Sequence, residues 1–252
     1  MMHRTHHAAH PRRRARAPGT TLVAAVSVTA TLVAATVATP PAEAGTFDAW
    51  LERAEHRALF MPADTDAGAL LDGPAAIAYD VDTDPGDDAF MAVSSDVHGV
   101  YRVSFETLAQ TIADLDSHEN FVPHVAGSRA RRTGSDPPEW LQHVELSSGF
   151  LFFRVDQSFE NRHVVLRIDE DRFALVFRLN ESYDALVSDI HGAWYLERVV
   201  IDGGEHVYVR YFNHVVFSRR TAGLRFAVRS FGLRDAKNAI AAYVSEARRR
   251  SP

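Results

Sequence analysis

Cysteine is absent from the 252 residues, and lysine occurs once, at Lys237. The first absence excludes disulfide staples, thiolate metal sites, cysteine catalysis and lipid attachment through cysteine. The second excludes most Schiff-base schemes, and no glycine-rich phosphate loop with a lysine is present. The Gly-x-Ser-x-Gly elbow of a hydrolase is missing too, since Gly127-Ser128 lacks its second glycine. There is no excess of positive charge: the chain carries 27 basic and 33 acidic side chains, net -6, which argues against a general nucleic-acid binder. What remains is an ordinary globular composition, 46% hydrophobic and 24% charged, in a chain long enough for a substantial core.

The net charge averages two unlike parts. Residues 1–44 hold five arginines (Arg4, Arg12, Arg13, Arg14, Arg16) and one acid, Glu43, which leaves 22 basic and 32 acidic side chains, about -10, in 45–252. Residues 20–39 carry no charge and run through Leu22-Val23-Ala24-Ala25-Val26 and Leu32-Val33-Ala34-Ala35. Pro40-Pro41 follow, and Ala42-Glu43-Ala44 has the small-x-small form that suits a signal peptidase. A basic region, an apolar region and a small-residue exit make a secretory signal peptide, so the expected mature protein, 45–252, is periplasmic or extracellular. The alternative is an uncleaved membrane anchor, but five threonines and a serine within 20–38 weaken its hydrophobicity. Arg12-Arg13-Arg14 hints at twin-arginine export, although the residues after it fit poorly.

Residues 45–92 divide into a short helix and an acidic linker. Phe47, Trp50, Leu51, Ala54 and Ala58 fall at helical spacing, which predicts a helix over 47–60 that docks on the main domain or crosses a cavity mouth. Residues 61–92 hold eight aspartates, three prolines and three glycines. The run from Asp80 to Asp88 invites a calcium-loop reading, but Gly86 comes one place late and Met91 stands where the closing glutamate belongs. A solvated linker is the expectation.

From residue 97 the pattern is that of strands. Strands are expected at 97–105, 126–133, 139–157, 162–169, 173–180, 186–201 and 206–218, with a helix at 106–115. A helical turn over 117–125 is stopped by Pro123. The last element is a long helix over 232–249, whose apolar stripe is Leu233, Ala236, Ile240, Tyr243, Val244 and Ala247. Asp202-Gly203-Gly204-Glu205 predicts a primed hairpin turn with Asp202 opposite Glu205 and Val200 opposite Val207. One face of that hairpin then carries Trp194, Leu196, Val200, Val207, Val209, Tyr211, Val215 and Phe217. The other, wet, face carries Glu197, His206, Tyr208, Arg210 and His214. Phe173, Leu175, Phe177 and Leu179 share an inner face, and Val164, Leu166 and Ile168 are set against Arg162, His163, Arg167 and Asp169. The expected sheet is antiparallel and one-sided, covered by the C-terminal helix.

This order of elements, with three local matches over about 97–249, resembles the START-like helix-grip superfamily, in its polyketide cyclase/dehydrase and lipid-transport (SRPBCC) branch. Residues 97–105 leading into Glu106-Thr107-Leu108 resemble its opening strand and helix start. Asn120-Phe121-Val122-Pro123-His124-Val125 resembles the end of its second helix. Asp189-Ile190-His191-Gly192-Ala193-Trp194-Tyr195-Leu196 resembles its glycine-x-tryptophan strand. The resemblance implies an α+β fold, a curved antiparallel β-sheet wrapped around a long C-terminal α-helix, with 93–252 as the helix-grip domain. It also implies an apolar cavity for a sterol, phospholipid, quinone, polyketide or hormone, in most members without catalysis.

Inward parity nominates the cavity-facing residues. On the meander they are Phe153, Gln157, Leu166, Leu175 and Phe177; on the hairpin, Trp194, Leu196, Arg198, Val209, Tyr211 and Asn213; on the helix, Ile240 and Val244. Gln157, Arg198, Tyr211 and Asn213 are the polar ones, suited to orienting a head group, unless Arg198 reaches solvent at a strand end and Asn213 pairs with backbone. The nine histidines of 45–252 show no i, i+4 pair with a nearby glutamate, so they read as exposed or capping, and neither metal nor cofactor is expected. The leading expectation is an exported, non-catalytic binder or carrier of a hydrophobic, lipid-like molecule. A cyclase or aromatase on the same fold is the first alternative and an interaction module with a closed core the second. A sealed core below ~100 Å³ would favour the last of these.

Overall fold

The computed structural model describes residues 51, 59–85, 89–150, 153–219, 221 and 223–251, without the side chains at 72, 148–150 and 153–154. The export segment and most of the 47–60 helix lie outside the described residues.

Eight strands form one antiparallel sheet: β1 (Ala75–Asp82), β2 (Met91–Tyr101), β3 (Val125–Ser135), β4 (Pro138–Phe150), β5 (Phe153–Arg167), β6 (Arg172–Ser182), β7 (Val187–Ile201) and β8 (Gly204–Phe217). Their spatial order is β1-β2-β8-β7-β6-β5-β4-β3. Helix α1 (Phe105–Ala113) and a 3-10 turn (Leu115–Asn120) carry the chain from β2 to the far edge. From there the strands meander back until β8 pairs with β2. Helix α2 (Leu224–Arg250) closes the domain.

Local chemistry sets the helix ends. Ser104 caps α1, its Oγ accepting from the Thr107 N–H at 3.3 Å, and Glu106 sits in the first turn where the helix dipole favours an anion. Arg248, Arg249 and Arg250 occupy the last turn of α2, the end that favours cations. Arg250 also donates to Asp114 Oδ2 at 2.7 Å and Ser117 Oγ at 2.9 Å, which ties this end to the end of α1.

The main core lies between the concave face and the helices. Phe173, Leu175, Trp194, Leu196, Val207 and Val209 meet Phe105, Leu108 and Ile112 of α1 and Ile240, Tyr243, Val244 and Ala247 of α2. At Gly192, a Cβ would stand 2.3 Å from the Phe212 carbonyl oxygen and 2.5 Å from the Phe177 ring, so glycine is what lets that ring lie across β7.

The convex face is not uniformly wet. Val164, Val176 and Ala193 pack with Leu51 and Leu59; Ala174, Tyr195 and Tyr208 pack with Phe60, Met61 and Leu70. Phe60 stacks on Tyr195 with ring centroids 4.9 Å apart. At its three described positions, then, the 47–60 stretch docks on the outer face. Arg210 holds this arrangement from below: Nε and Nη2 donate to Asp96 at 2.9 and 2.6 Å, and Nη1 donates to the Phe60 carbonyl at 2.9 Å.

Several expectations change. Part of the acidic linker forms β1, an edge strand whose burial alternates only weakly. β2 starts at Met91 and ends at Tyr101, and α2 starts at Leu224, eight residues before the stripe suggested. The stretch 139–157 contains a hairpin between β4 and β5, and the strand continues to Arg167. The turn places Asp202 and Gly203 at its tip (φ 52° and 76°), with Ile201 opposite Gly204 and Val200 opposite Glu205. That register is two residues from the expected one, so face parity survives and Trp194 lies opposite Tyr211.

Replacing Arg210 by methionine leaves Asp96, 8% exposed, without its counter-charge. Urea unfolding should show a loss of about 3 kcal/mol with an unchanged slope, and Asp96→Asn in the same chain should restore most of it. Equal stability of R210M and the parent would show that the pair is not a structural tie.

Candidate functional site: a cavity between the sheet and the second helix

A cavity of about 380 Å³ lies under the first half of α2. Val228, Gly232, Ala236 and Ala239 form its roof, while Ile240, Val244 and Ala247 fill the space further along the helix. Small residues on the inner face of α2 therefore leave the void, and larger ones end it. Pro123, His124 and Asn238 are solvent-exposed lining residues and mark the mouth. Tyr79 of β1 reaches over the roof and donates from its hydroxyl to the Val228 carbonyl at 2.6 Å. Its oxygen lies 2.2 Å from where a Cβ at Gly232 would stand, so only glycine admits it.

The walls are chiefly apolar and aromatic: Phe159, Leu175, Phe177, Ile190, Trp194, Tyr211 and Phe217. Trp194 and Tyr211 stack at 4.4 Å. Burial raises the Tyr211 phenol well above its ordinary range.

The polar groups fall into two sets. The first is internally satisfied. His118 Nε2 lies 3.2 Å from the Ile112 carbonyl, and Nδ1 lies 3.1 Å from both Gln142 Nε2 and Tyr243 Oη. With Nε2–H donating to the carbonyl, Nδ1 is the acceptor. Gln142 Nε2 also lies 2.8 Å from Ser128 Oγ and 3.0 Å from the Leu115 carbonyl, so its two N–H groups are shared among these acceptors. Burial pulls His118 down to about 4. The second set is not satisfied: both ring nitrogens of His163, Asn161 Oδ1 and Asn213 Oδ1 are buried without a hydrogen-bond partner among the described residues. His163 is pulled down to about 3 by its complete burial. Cross-strand register sets one row, Ser95, Asn213, Gly192, Phe177 and His163, with the Phe177 ring between the two unpartnered polar groups. A neutral imidazole offers one donor and one acceptor, and the asparagine oxygens add two acceptors.

Of the residues nominated from sequence, Gln157, Leu175, Phe177, Trp194, Tyr211 and Asn213 line the cavity. Leu196, Val209, Ile240 and Val244 are buried in the main core beside it. The Phe153 side chain lies outside those described. Leu166 packs on the convex face against the clusters under Phe60 and Leu59. Arg198 sits at a strand end with Glu106 and Asp171 at 3.3 Å and Glu205 bonded as well, its guanidinium 4.6 Å over the Phe105 ring. Sequence reasoning missed His118, Gln142, Asn161, His163 and Tyr79. Dividing β5 into two strands sets the parity twice and puts His163 and Leu166 on the wrong faces. Carried from Gln157 along a continuous β5, the same alternation turns Asn161 and His163 inward.

No protein-family model matches the chain, and no curated protein matches it. Solved structures do. A STAR-related lipid transfer protein from Xanthomonas axonopodis superposes with a TM-score of 0.51 at 13% identity, over 70% of this chain and 99% of that one. The fold is the START-like helix-grip. The Zhui aromatase/cyclase from Streptomyces sp. R1128 is also similar (TM-score 0.48, 14% identity, 63% of this chain and 95% of that one). So is a START superfamily protein from Mycobacterium smegmatis, with a TM-score of 0.43, 14% identity and coverage of 62% and 97%. In the START-like fold described here, the cavity lies between the grip sheet and the long helix.

The two buried histidines give this START-like domain an acid-sensitive interior. Unfolded, each binds a proton near pH 6.5; folded, they resist it to about 4 and about 3. Stability should thus be full above pH 6.5 and fall as the pH drops, by about 1.4 kcal/mol per pH unit per histidine. Urea titrations at pH 7.5 and 5 should show a smaller loss in His163→Phe than in the parent; an identical loss would mean His163 is not buried in its neutral form.

Proposed function

We propose that this protein is an exported, non-catalytic binder or carrier of a lipid-like small molecule with an uncharged, hydroxyl-bearing polar end. The observation that carries the reading is the pairing of apolar aromatic walls with the ring nitrogens of His163 and the Oδ1 atoms of Asn161 and Asn213, which are buried without a partner among the described residues. An unsatisfied buried polar group costs about 1–3 kcal/mol, and a ligand hydroxyl that supplies the missing bonds recovers that cost. The volume is at the small end of ligand pockets, which suits a few-ring or single-chain molecule better than a two-chain phospholipid. A lipid-transfer protein among the structures of similar fold supports the substrate class. Export rests on the basic, apolar and small-residue segments of 1–44. No helix among the described residues is long and apolar enough to cross a membrane.

A cyclase-like reading needs an acid or base poised near neutrality. His163 at about 3 is too weak a base for that, and Tyr211 is shifted away from neutrality. A closed interaction module is disfavoured by the cavity itself.

The test is isothermal titration with a matched pair of uncharged probes, 2-naphthol and naphthalene. In Asn213→Leu and His163→Phe, 2-naphthol should bind about 5- to 10-fold more weakly, a loss of about one hydrogen bond, while naphthalene stays within about twofold. Equal changes for both probes, or none for either, would overturn the polar-end assignment. Native mass spectrometry of the protein recovered from an exporting host should show a co-purifying small molecule.

A further inference from the structure

The outer face of β7 and β8 carries a cluster that the cavity does not use. Strand register places Asp80, Ser94, His214 and His191 in one row across β1, β2, β8 and β7. The next row holds Asp82, Ala92, Val216 and Asp189. The imidazoles of His191 and His214 stack at 4.7 Å with planes 29° apart. Asp189 Oδ2 lies 2.8 Å from His191 Nδ1, and Ser94 Oγ lies 2.7 Å from His214 Nδ1. One donor atom each from Asp189, His191 and His214 falls within 4.8 Å of the other two.

We propose that Asp189, His191 and His214 form a binding site for a zinc-type divalent first-row cation on the convex face of the sheet. Two imidazole nitrogens and one carboxylate oxygen are the donor set such borderline cations take. Bonds of about 2.0–2.2 Å put tetrahedral ligands about 3.4 Å apart, so donors now within 4.8 Å of one another reach it by side-chain adjustment, in which Asp189 Oδ2 and His191 Nδ1, now 2.8 Å apart, move slightly apart. Ser94 already orients the His214 ring through Nδ1, as the outer partner of a metal-bound histidine does, and directs Nε2 to the ion. Three protein ligands leave the fourth position to water.

Beside the cluster a cleft of about 420 Å³ is lined by Asp80, Asp82, Ser94 and His214. The acidic run that fails as a calcium loop thus places two carboxylates where they raise the local cation concentration. A rule built on helical i, i+4 spacing overlooks this cluster, because on a sheet the ligands come at i, i+2 and across the hairpin.

The test is a zinc chloride titration of the full chain with His3, His6, His7 and His10 changed to alanine, against a competing chromophoric chelator. One equivalent should bind and raise the melting temperature. His191→Ala and His214→Gln should each weaken binding at least ~10-fold and abolish the melting shift, while Asp80→Asn with Asp82→Asn stays within about threefold. Should either histidine variant fail to fold, cobalt(II) added to the parent is the second measurement. Strong visible absorption of a low-coordinate nitrogen and oxygen site is expected, and the pale spectrum of the aqueous ion would overturn the proposal. Zinc binding that survives the double histidine variant, or that calcium chloride displaces, would overturn it as well. Binding of 2-naphthol by the histidine variants should match the parent, which separates this site from the cavity.

Discussion

The rest of the domain depends on how α2 meets the concave sheet. Along its second half the inner face of the helix is bulky, with Ile240, Tyr243 and Val244 5% exposed or less, while Leu224 is buried at its start. Ahead of them Val228, Gly232, Ala236 and Ala239 roof the cavity, met from the sheet by Tyr79 of β1. Packing to interior density at one end fixes the helix axis, and the small residues at the other leave a void that the helix cannot settle into. The position of the cavity, its mouth beside Asn238 and the reach of Tyr79 across Gly232 all follow from that gradient of side-chain size.

Inside the cavity the division of polar groups carries the chemistry. His118, Gln142, Ser128 and Tyr243 form a closed network that joins the 3-10 turn, β3, β4 and α2, so their polarity is absorbed by the fold. Asn161, His163 and Asn213 stand on β5 and β8, interior strands paired on both sides. Among the described residues no partner reaches the His163 ring nitrogens or the two asparagine Oδ1 atoms, and all three residues line the space between sheet and helix. The first set is scaffold, and the second is what the proposed ligand would meet. The neutral state of His163 agrees with an uncharged partner, since a carboxylate or phosphate there would favour the imidazolium that burial suppresses.

Much of this could be read from the residues themselves. The meander, the C-terminal helix and the inner faces of β6, β7 and β8 follow from alternation that the structure keeps. The failures share a cause. β5 is apolar on both faces between His163 and Leu166, because Leu59 and Phe60 cover its outside, and a strand buried on both faces gives parity nothing to hold. The first turns of α2 include Arg225, Arg229 and exposed Phe226, which mask its periodicity. β1 is an edge strand of Ala and Asp, with little of the β-branched composition that marks a strand. His191 and His214 meet through register alone, and register at the Asp202-Gly203 turn was displaced by two residues.

Gly192 shows how shape can be set by an atom that is not there. The Phe177 ring rests on bare backbone at that point and forms the partition between the polar ends contributed by Asn213 and His163. The ligand proposed above, if it reached both, would have to bend around a flat hydrocarbon tile. A single methyl group at 192 would press on the tile and on the Phe212 carbonyl of β8 without substituting any residue on the cavity wall. Selectivity in this fold can then drift through a position that no bound molecule touches, and comparison of wall residues alone would not register the change.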